Sequence, residues 1–142
     1  SFNYERYMMG AQMLGMSQRC FDECVSYAKE RNTFGKALIE HQVIRHKLAD
    51  MSAKIDAMDA YLNQVAQLMN DGEKPVAEIS KIKFFCSECL ESIASESMQI
   101  LGGAGYLRGN PIERIYREVK VMAIGGGSKE IMKDLTIKQM GL

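Results

Sequence analysis

The first residues with chemical potential are four cysteines arranged in two closely spaced pairs. Cys20 and Cys24 form a Cys-x3-Cys pair, and Cys86 and Cys89 form a Cys-x2-Cys pair. Four thiolates could bind a structural zinc ion. However, Cys86 and Cys89 fall on an apolar helical repeat, and Cys20 and Cys24 flank another. Because a buried free cysteine behaves as a small apolar residue, we expect core cysteines in a reducing compartment, with neither a metal site nor disulfides.

Two histidines and two glycine-rich segments are the next candidates for ligand binding. His41 and His46 lack the spacing of a metal pair, and spacing alone makes His41 with Gln42 a surface pair at a helix start. The segment Gly102–Gly105 follows a helix, so it is not a dinucleotide-binding fingerprint. The segment Gly125–Ser128 precedes a helix, where backbone amides could hold an anion, although a simple turn explains it equally well.

The start of the first helix holds an acid–base pair and a cluster of methionines. Taken alone, Glu5 beside Arg6 fits the preference for acidic residues in a first helical turn. The clustered methionines could line an apolar pocket, although packing is the simpler explanation. These are Met8, Met9, Met13 and Met16.

Long helices must position these residues, because apolar side chains recur at alternating three- and four-residue steps. The first face comprises Tyr7, Ala11, Leu14, Phe21, Val25 and Ala28, and we expect Gly35 to stop this helix. The second comprises Ile44, Leu48, Met51, Ile55, Met58, Leu62, Val65 and Met69, before the turn Asn70-Asp71-Gly72. The third begins near Pro75 and comprises Ile79, Ile82, Cys86, Cys89, Ile93, Ser97 and Ile100, before Gly102-Gly103.

The fourth segment is broken into a short helix from Pro111 to about Lys120, the glycines at 125–127, and a last helix from about Ser128 to Gln139. A mean spacing of about 3.5 residues predicts helices that supercoil around one another. Short connections make neighbouring helices antiparallel. The expected fold is all-α, an up-down four-helix bundle with a short extra helix and no strand.

Composition places the chain among ordinary globular domains. Its 142 residues suit one domain, and 18 basic residues balance 18 acidic ones. This balance argues against a dedicated nucleic-acid-binding protein, and no apolar run approaches a membrane span. Because residue 1 is serine and a helix starts almost at once, we expect a segment of a longer chain whose targeting region lies upstream.

Several strings in order resemble the C-terminal domain of the acyl-CoA dehydrogenase family. They are Glu5-Arg6 with Gly10 and Gly15, Tyr27-Ala28-x-x-Arg31-x-x-Phe34-Gly35, His41-Gln42, Leu48-Ala49-Asp50-Met51, Gln99-Ile100-Leu101-Gly102-Gly103-x-Gly105-Tyr106, Glu113-Arg114-x-Tyr116-Arg117 and Ile124-x-x-Gly127-x-x-Glu130-Ile131. The resemblance spans essentially all 142 residues. It implies that residues 1–142 are the C-terminal helical domain of an enzyme whose N-terminal helical and middle β-domains lie outside this chain.

The resemblance also implies a chemistry. Family enzymes use FAD to desaturate acyl-CoA thioesters: a carboxylate removes the α-proton while the β-hydride passes to the flavin. The implied cofactor-binding residues are Arg31, Asn32, Thr33, His41, Gln42, Gln99, Ile100, Leu101, Gly102, Gly103, Ser128, Lys129 and Glu130. Those from Gln99 to Gly103 meet the FAD of a neighbouring subunit. The implied substrate-binding residues are Asn3, Tyr4, Arg6, Gly126 and Gly127.

One departure concerns the general base. Many family members carry the catalytic glutamate where this sequence has Gly126. The isovaleryl- and long-chain-type enzymes instead take the base from the first helix of this domain, and the matching residue is Glu5. The resemblance therefore implies Glu5 as the catalytic base. The alternatives are a catalytically silent or oxidase-type paralogue and a non-enzymatic bundle that only oligomerises.

Partners and location follow from the same resemblance. We expect an acyl-CoA substrate, an electron-transfer flavoprotein or similar acceptor, and a homo-oligomer, either a dimer or a tetramer. The expected location is the bacterial cytoplasm or, in a eukaryote, the mitochondrial matrix. Because the other domains would supply most of the site, we expect residues 1–142 alone to be inactive.

Overall fold

Six α-helices and one small hairpin form the protein in a computed structural model that describes residues 1–142. The all-α prediction is confirmed. The elements are α1 (Phe2–Glu30), β1 (Asn32–Thr33), β2 (Lys36–Ala37), a 3₁₀ turn (Leu38–Glu40), α2 (Gln42–Asn70), α3 (Val76–Leu101), α4 (Gly103–Tyr106), α5 (Pro111–Ile124) and α6 (Lys129–Gln139). No helix combines the length and the apolar character that crossing a membrane would require.

Helix α3 is the centre of the bundle and packs against α1, α2, α5 and α6. Helix α2 runs antiparallel to it, since Lys47 pairs with Glu96 while Lys54 reaches Ser92. Helix α1 runs parallel to α3, and the two helices therefore end on the same side of the molecule. Met13 of α1 lies beside Ser87, and further along Cys24 lies beside Ser97.

The apolar seams predicted for α2 and α3 are confirmed. Seven of the eight α2 residues are buried, and Met69 is half-buried. All seven α3 residues are buried, including Cys86 and Cys89. A continuous core of 21 buried residues joins the helices. Such a core is what a domain needs to fold on its own.

The face predicted for α1 is wrong by about one residue. Its buried residues are Gly10, Met13, Ser17, Cys20, Cys24 and Ala28. The larger side chains Tyr7, Leu14, Phe21 and Val25 flank this line and are only partly buried. Small residues occupy the centre because α1 and α3 lie close together. A Cβ added to Gly10 would lie 3.3 Å from Leu62 Cδ2 and 3.9 Å from Cys86 Sγ.

All four cysteines are buried and free, so the prediction of core cysteines is confirmed. Burial raises the pKa of the Cys20 and Cys86 thiols to about 12 and that of Cys24 to about 11. These thiols therefore remain protonated at neutral pH, as expected of residues used for packing.

The prediction of no strand is wrong at one place. Strands β1 and β2 pair antiparallel, with Asn32 opposite Ala37 and Thr33 opposite Lys36. The two turn residues, Phe34 and Gly35, have φ values of +51° and +81°. Positive φ at both central residues is the signature of a tight hairpin turn. Gly35 therefore shapes this turn, whereas α1 already ends at Glu30.

The fourth segment is broken as predicted, but α5 continues to Ile124 rather than Lys120. The Asn110 side chain caps α5 by accepting a hydrogen bond from Ile112 N. Pro111 then occupies the first turn, where its missing N–H costs nothing. Helix α5 therefore delivers the glycines at 125–127 to the side of α3.

Candidate functional site

The glycine loop 125–127 is held by two cationic side chains from different helices. Arg6 Nε of α1 donates a 2.8 Å hydrogen bond to the carbonyl oxygen of Gly126. Lys83 Nζ of α3 donates to the carbonyl oxygens of Gly125 and Gly127, at 2.6 and 2.5 Å. Three successive carbonyl groups thus converge on two positive charges. We call Arg6, Lys83 and residues 125–127 the cation–loop cluster.

The backbone conformation in the second half of this loop favours glycine. Gly126 and Gly127 have φ values of +73° and +123°, a region that L side chains rarely adopt. A Cβ at Gly127 would lie 2.5 Å from Met132 Cε, and one at Gly126 would lie 2.9 Å from Met9 Sδ. The glycines of this loop therefore serve a specific backbone conformation, beyond the simple turn that the sequence also allows.

Sequence reasoning missed Lys83, which is fully buried. Desolvation, followed by the nearby charge of Arg6, lowers the pKa of Lys83 to about 8. No carboxylate lies within ion-pair distance of its ammonium group. A signal was present, because Lys83 interrupts the otherwise apolar series Ile79, Cys86 and Leu90 at helical spacing.

The first turn of α1 carries the predicted base. The Ser1 side chain caps this turn by accepting from Tyr4 N, and the Glu5 carboxylate is solvent-exposed without a hydrogen bond or ion pair within the chain. The neighbouring residue, Arg6, contacts both the glycine loop and the Phe2 ring, whose centroid is 5.7 Å from its guanidinium carbon. The structure thus brings Arg6, Gly126 and Gly127 together, and Glu5 precedes Arg6 on the same helical turn. Asn3 and Tyr4 lie on the same turn and form no side-chain hydrogen bond with the loop.

A second group of predicted residues lies where α1 and α3 end. His41 Nε2 is 3.0 Å from Thr33 Oγ1 and 3.1 Å from the Thr33 carbonyl oxygen, which ties the hairpin to the start of α2. The Phe34 ring stands edge-on to His41 and is 98% exposed. Arg31, Asn32 and Gln42 are also exposed.

The end of α3 adds a shallow depression of about 400 Å³ to this second group. Gln99, Gly102 and Gly103 line it together with Ser95, Met98, Tyr106 and Tyr116. The side chains of Ile100 and Leu101 instead lie in the core, each only 5% exposed. Only their backbone could therefore face a cofactor.

The predicted residues at the start of α6 already have partners of their own. Ser128 Oγ accepts a hydrogen bond from Ile131 N and caps the helix. Lys129 Nζ lies 3.3 Å from a carboxylate oxygen of Glu91. Hydrogen bonds from its own backbone and from Ser128 lower the pKa of Glu130, which stays ionised and exposed.

The two groups of predicted residues are far apart within one chain. We call the second group, formed by the β1–β2 hairpin, His41, Gln42 and the end of α3, the hairpin end. Lys83 marks the cation–loop cluster and Gln99 marks the hairpin end, and their sequence separation of 16 corresponds to about 24 Å along α3. The chain alone therefore does not bring the hairpin end and the cation–loop cluster into one pocket.

The methionine cluster does not form one pocket either. Met13 lies in the core, Met9 packs under the glycine loop, and Met8 is 39% exposed. Met16 lines a groove of about 680 Å³ between α1 and α5, together with Gln12, Gly15, Arg19, Arg114, Ile115, Glu118, Val121 and Met122. Packing explains Met9 and Met13, and only Met16 faces an apolar groove.

Comparisons by sequence and by structure agree on the proteins that this chain resembles. Residues 1–141 match the sequence profile of a family described as "Acyl-CoA dehydrogenase, C-terminal domain". The chain is 39% identical to a "3-(aryl)acrylate reductase" of Clostridium sporogenes, over 90% of this chain and 34% of that protein. It is 34% identical to the "Caffeyl-CoA reductase-Etf complex subunit CarC" of Acetobacterium woodii, over 90% of this chain and 34% of that protein.

A solved structure, that of a "probable acyl CoA dehydrogenase" from Mycobacterium abscessus, superposes with a TM-score of 0.95. It is 39% identical, and the match covers 99% of this chain and 37% of the other. The chain thus spans about a third of the length of the proteins it matches.

Proposed function

The chain belongs to the acyl-CoA dehydrogenase family, and on that premise we propose that it is the C-terminal helical domain of an FAD-dependent enzyme that desaturates acyl-CoA thioesters between Cα and Cβ. The observation that carries the proposal is the hydrogen bond from Arg6 to Gly126. It draws the turn that bears Glu5 against the position where many family members carry the catalytic glutamate. A carboxylate supplied by α1 can then serve the same region as one supplied by the loop.

In this proposal Glu5 accepts the α-proton of the substrate. A general base must be ionised and free to reach the proton it removes. The Glu5 carboxylate is solvent-exposed and has no partner inside the chain, so it is free to reach such a proton.

The residues at the hairpin end suit a dinucleotide with a charged pyrophosphate. The Arg31 guanidinium is exposed and has no acidic partner within the chain, and planar guanidinium groups pair well with phosphate oxygens. Gln99 offers an exposed amide beside Gly102 and Gly103, where a flat ring could approach the backbone closely. When bound, FAD would supply the acceptor for the β-hydride.

The separation of the two groups of residues supports a homo-oligomer. With about 24 Å of α3 between them, the hairpin end of one subunit would complete the cofactor site of another. A related protein is named as a subunit of a reductase–Etf complex, which favours an electron-transfer flavoprotein as redox partner. The bacterial cytoplasm or the mitochondrial matrix remains the proposed location.

A second candidate function is the same reaction run in the reductive direction. Two similar proteins are named as reductases, and saturating a carbon–carbon double bond is the reverse of the proposed oxidation. Assaying the full-length protein with saturated acyl-CoA plus an electron acceptor, and with enoyl-CoA plus reduced flavoprotein, separates the two directions.

The decisive variant is Glu5→Gln in the full-length protein. We expect turnover to fall by about 10²–10⁴-fold, the usual contribution of a general base, with FAD content unchanged. Glu73→Gln is the matched control, since Glu73 is an exposed glutamate outside the site, and its turnover should equal that of the wild type.

Unchanged turnover in Glu5→Gln would refute the base assignment. A purified full-length protein without FAD would refute the enzyme assignment. Rapid oxidation of the reduced enzyme by O₂ would instead indicate an oxidase of the same fold.

A further inference from the structure

The buried position of Lys83 demands an explanation that packing does not provide. Lysine is almost never fully buried without a partner, because removing a charge from water is costly. Lys83 is 0% exposed, yet no carboxylate pairs with it. Its partners are two backbone carbonyl oxygens of one loop. An apolar side chain such as methionine would fill the same space without this cost, so the ammonium group itself must matter.

The geometry of the loop shows what the ammonium controls. Every peptide bond in the chain is trans, so the N–H of each residue points opposite to the preceding carbonyl group. Because the carbonyl groups of residues 125–127 face Arg6 and Lys83, the following N–H groups face away from these cations. Gly127 N bonds to the Ile124 carbonyl oxygen at 3.3 Å, whereas the N–H groups of Gly126 and Ser128 have no acceptor in the chain.

From this arrangement we propose that Lys83 is a positioning residue, whose ammonium group fixes the peptide planes of the glycine loop so that the Gly126 and Ser128 N–H groups face a ligand oxygen. The inference rests on the proposed function, in which this loop borders the acyl-CoA substrate. The N–H groups would be aligned before the ligand binds, and donors held in advance are those that stabilise developing negative charge best.

Arg6 alone cannot do this. Its single bond fixes the Gly126 carbonyl group, and the peptide planes on either side are fixed by Lys83. Glycine peptides rotate easily. Without the ammonium group, the planes that follow Gly125 and Gly127 could turn, and their N–H groups would then point inward.

The test compares Lys83→Met with Lys81→Met in the full-length holoenzyme. Methionine keeps the length of the side chain and removes its donors. Lys81 lies on the same helix, is partly exposed and has no polar partner, so the same substitution there should leave turnover unchanged. We expect Lys83→Met to keep its FAD and its KM while kcat falls by about 10–100-fold, the signature of an interaction made mainly in the transition state.

Chemical rescue separates positioning from mere packing. In Lys83→Ala, added n-propylamine restores the missing atoms and the charge, whereas n-propanol of similar size restores the volume alone. We expect propylamine to raise kcat at least several-fold and propanol to have no effect. Equal rescue by both compounds would overturn the proposal. Should Lys83→Ala fail to fold, the kcat and KM of Lys83→Met still decide.

Failure of this inference differs from failure of the proposed function. Wild-type kcat in Lys83→Met, with Glu5→Gln inactive, would overturn the role of Lys83 alone. If the full-length protein lacks FAD or activity, amide hydrogen exchange at Gly127 becomes the readout. Exchange at least several-fold faster in Lys83→Met than in Lys81→Met supports the fixed loop, and equal exchange overturns it.

Discussion

Arg6 and Gly126 lie 120 residues apart in sequence and are joined by a 2.8 Å hydrogen bond between a guanidinium nitrogen and a carbonyl oxygen. This contact anchors the start of α1 to the connection between α5 and α6. Because the donor is charged, the bond should contribute more than a neutral one.

Replacing Arg6 by methionine should lower the free energy of unfolding of the 142-residue chain by about 1–2 kcal/mol, because a charge-assisted hydrogen bond is lost. Arg19→Met is the matched control. Arg19 lies on the same helix, but it is exposed and its partner Glu23 is a partly exposed neighbour one turn away. Such pairs contribute about 0.5 kcal/mol or less. Urea denaturation measures both values, and equal losses would contradict the anchoring role of Arg6.

Gly127→Ala should destabilise the chain by about 1–3 kcal/mol, through backbone strain and overpacking. Its φ of +123° disfavours any side chain, and the new Cβ would meet Met132, which is fully buried and has little room to move. Gly15→Ala is the control, since Gly15 is helical with no atom within 4 Å of an added Cβ. It should stabilise by about 0.5–1 kcal/mol. Thermal or urea unfolding measures the change in stability of each variant, and the two changes should have opposite signs.

Lys83 should make stability rise with pH between about 8 and 10.5. Its pKa falls from 10.5 to about 8 on folding, so within this window the unfolded chain binds more protons than the folded chain. Raising the pH then favours the folded state. The buried thiols act in the opposite direction above pH 9, since folding raises their pKa.

The measurable quantity is therefore the unfolding free energy of the wild type minus that of Lys83→Met, in which the thiol effects cancel. This difference should increase from pH 8 to pH 10.5. A flat difference would show that Lys83 does not change its pKa on folding.

The 142-residue chain alone should not reduce an electron acceptor in the presence of acyl-CoA and added FAD. The cation–loop cluster and the hairpin end are about 24 Å apart along α3, so one chain does not form a single pocket from both. A steady-state assay of the purified chain, beside the full-length protein at equal concentration, checks this. Acyl-CoA-dependent turnover by the chain would contradict the proposed division of the site among domains and subunits.

The heptad seams of α2 and α3 could be predicted because most of their buried positions carry large aliphatic residues, whose spacing indicates the helical face directly. The α1 face was misplaced because Gly10, Ser17 and Cys20 form the close contact, and small or polar residues carry little hydropathy signal. The hairpin could not be predicted, because strands of two residues are too short to show an alternation of apolar and polar residues.

Sequence patterns also predict only part of the candidate site. Gly126 and Gly127 stand out in sequence, but the partners of their carbonyl groups lie more than 40 residues away on other helices. Local pattern therefore identifies the loop and cannot identify Lys83 as the residue that holds it. A lysine within an apolar seam was the only available clue, since a charged residue there needs an unseen partner.

The contact between Gly126 and Met9 constrains how this family position can evolve. Any side chain introduced at residue 126 meets both a φ of +73° and the Met9 sulfur 2.9 Å from the new Cβ. A side chain at residue 126 would therefore have to adopt a left-handed backbone and displace the flexible end of Met9. We therefore expect residues 9 and 126 to be epistatic, so that a larger residue at 126 is tolerated better beside a small residue 9 than beside methionine.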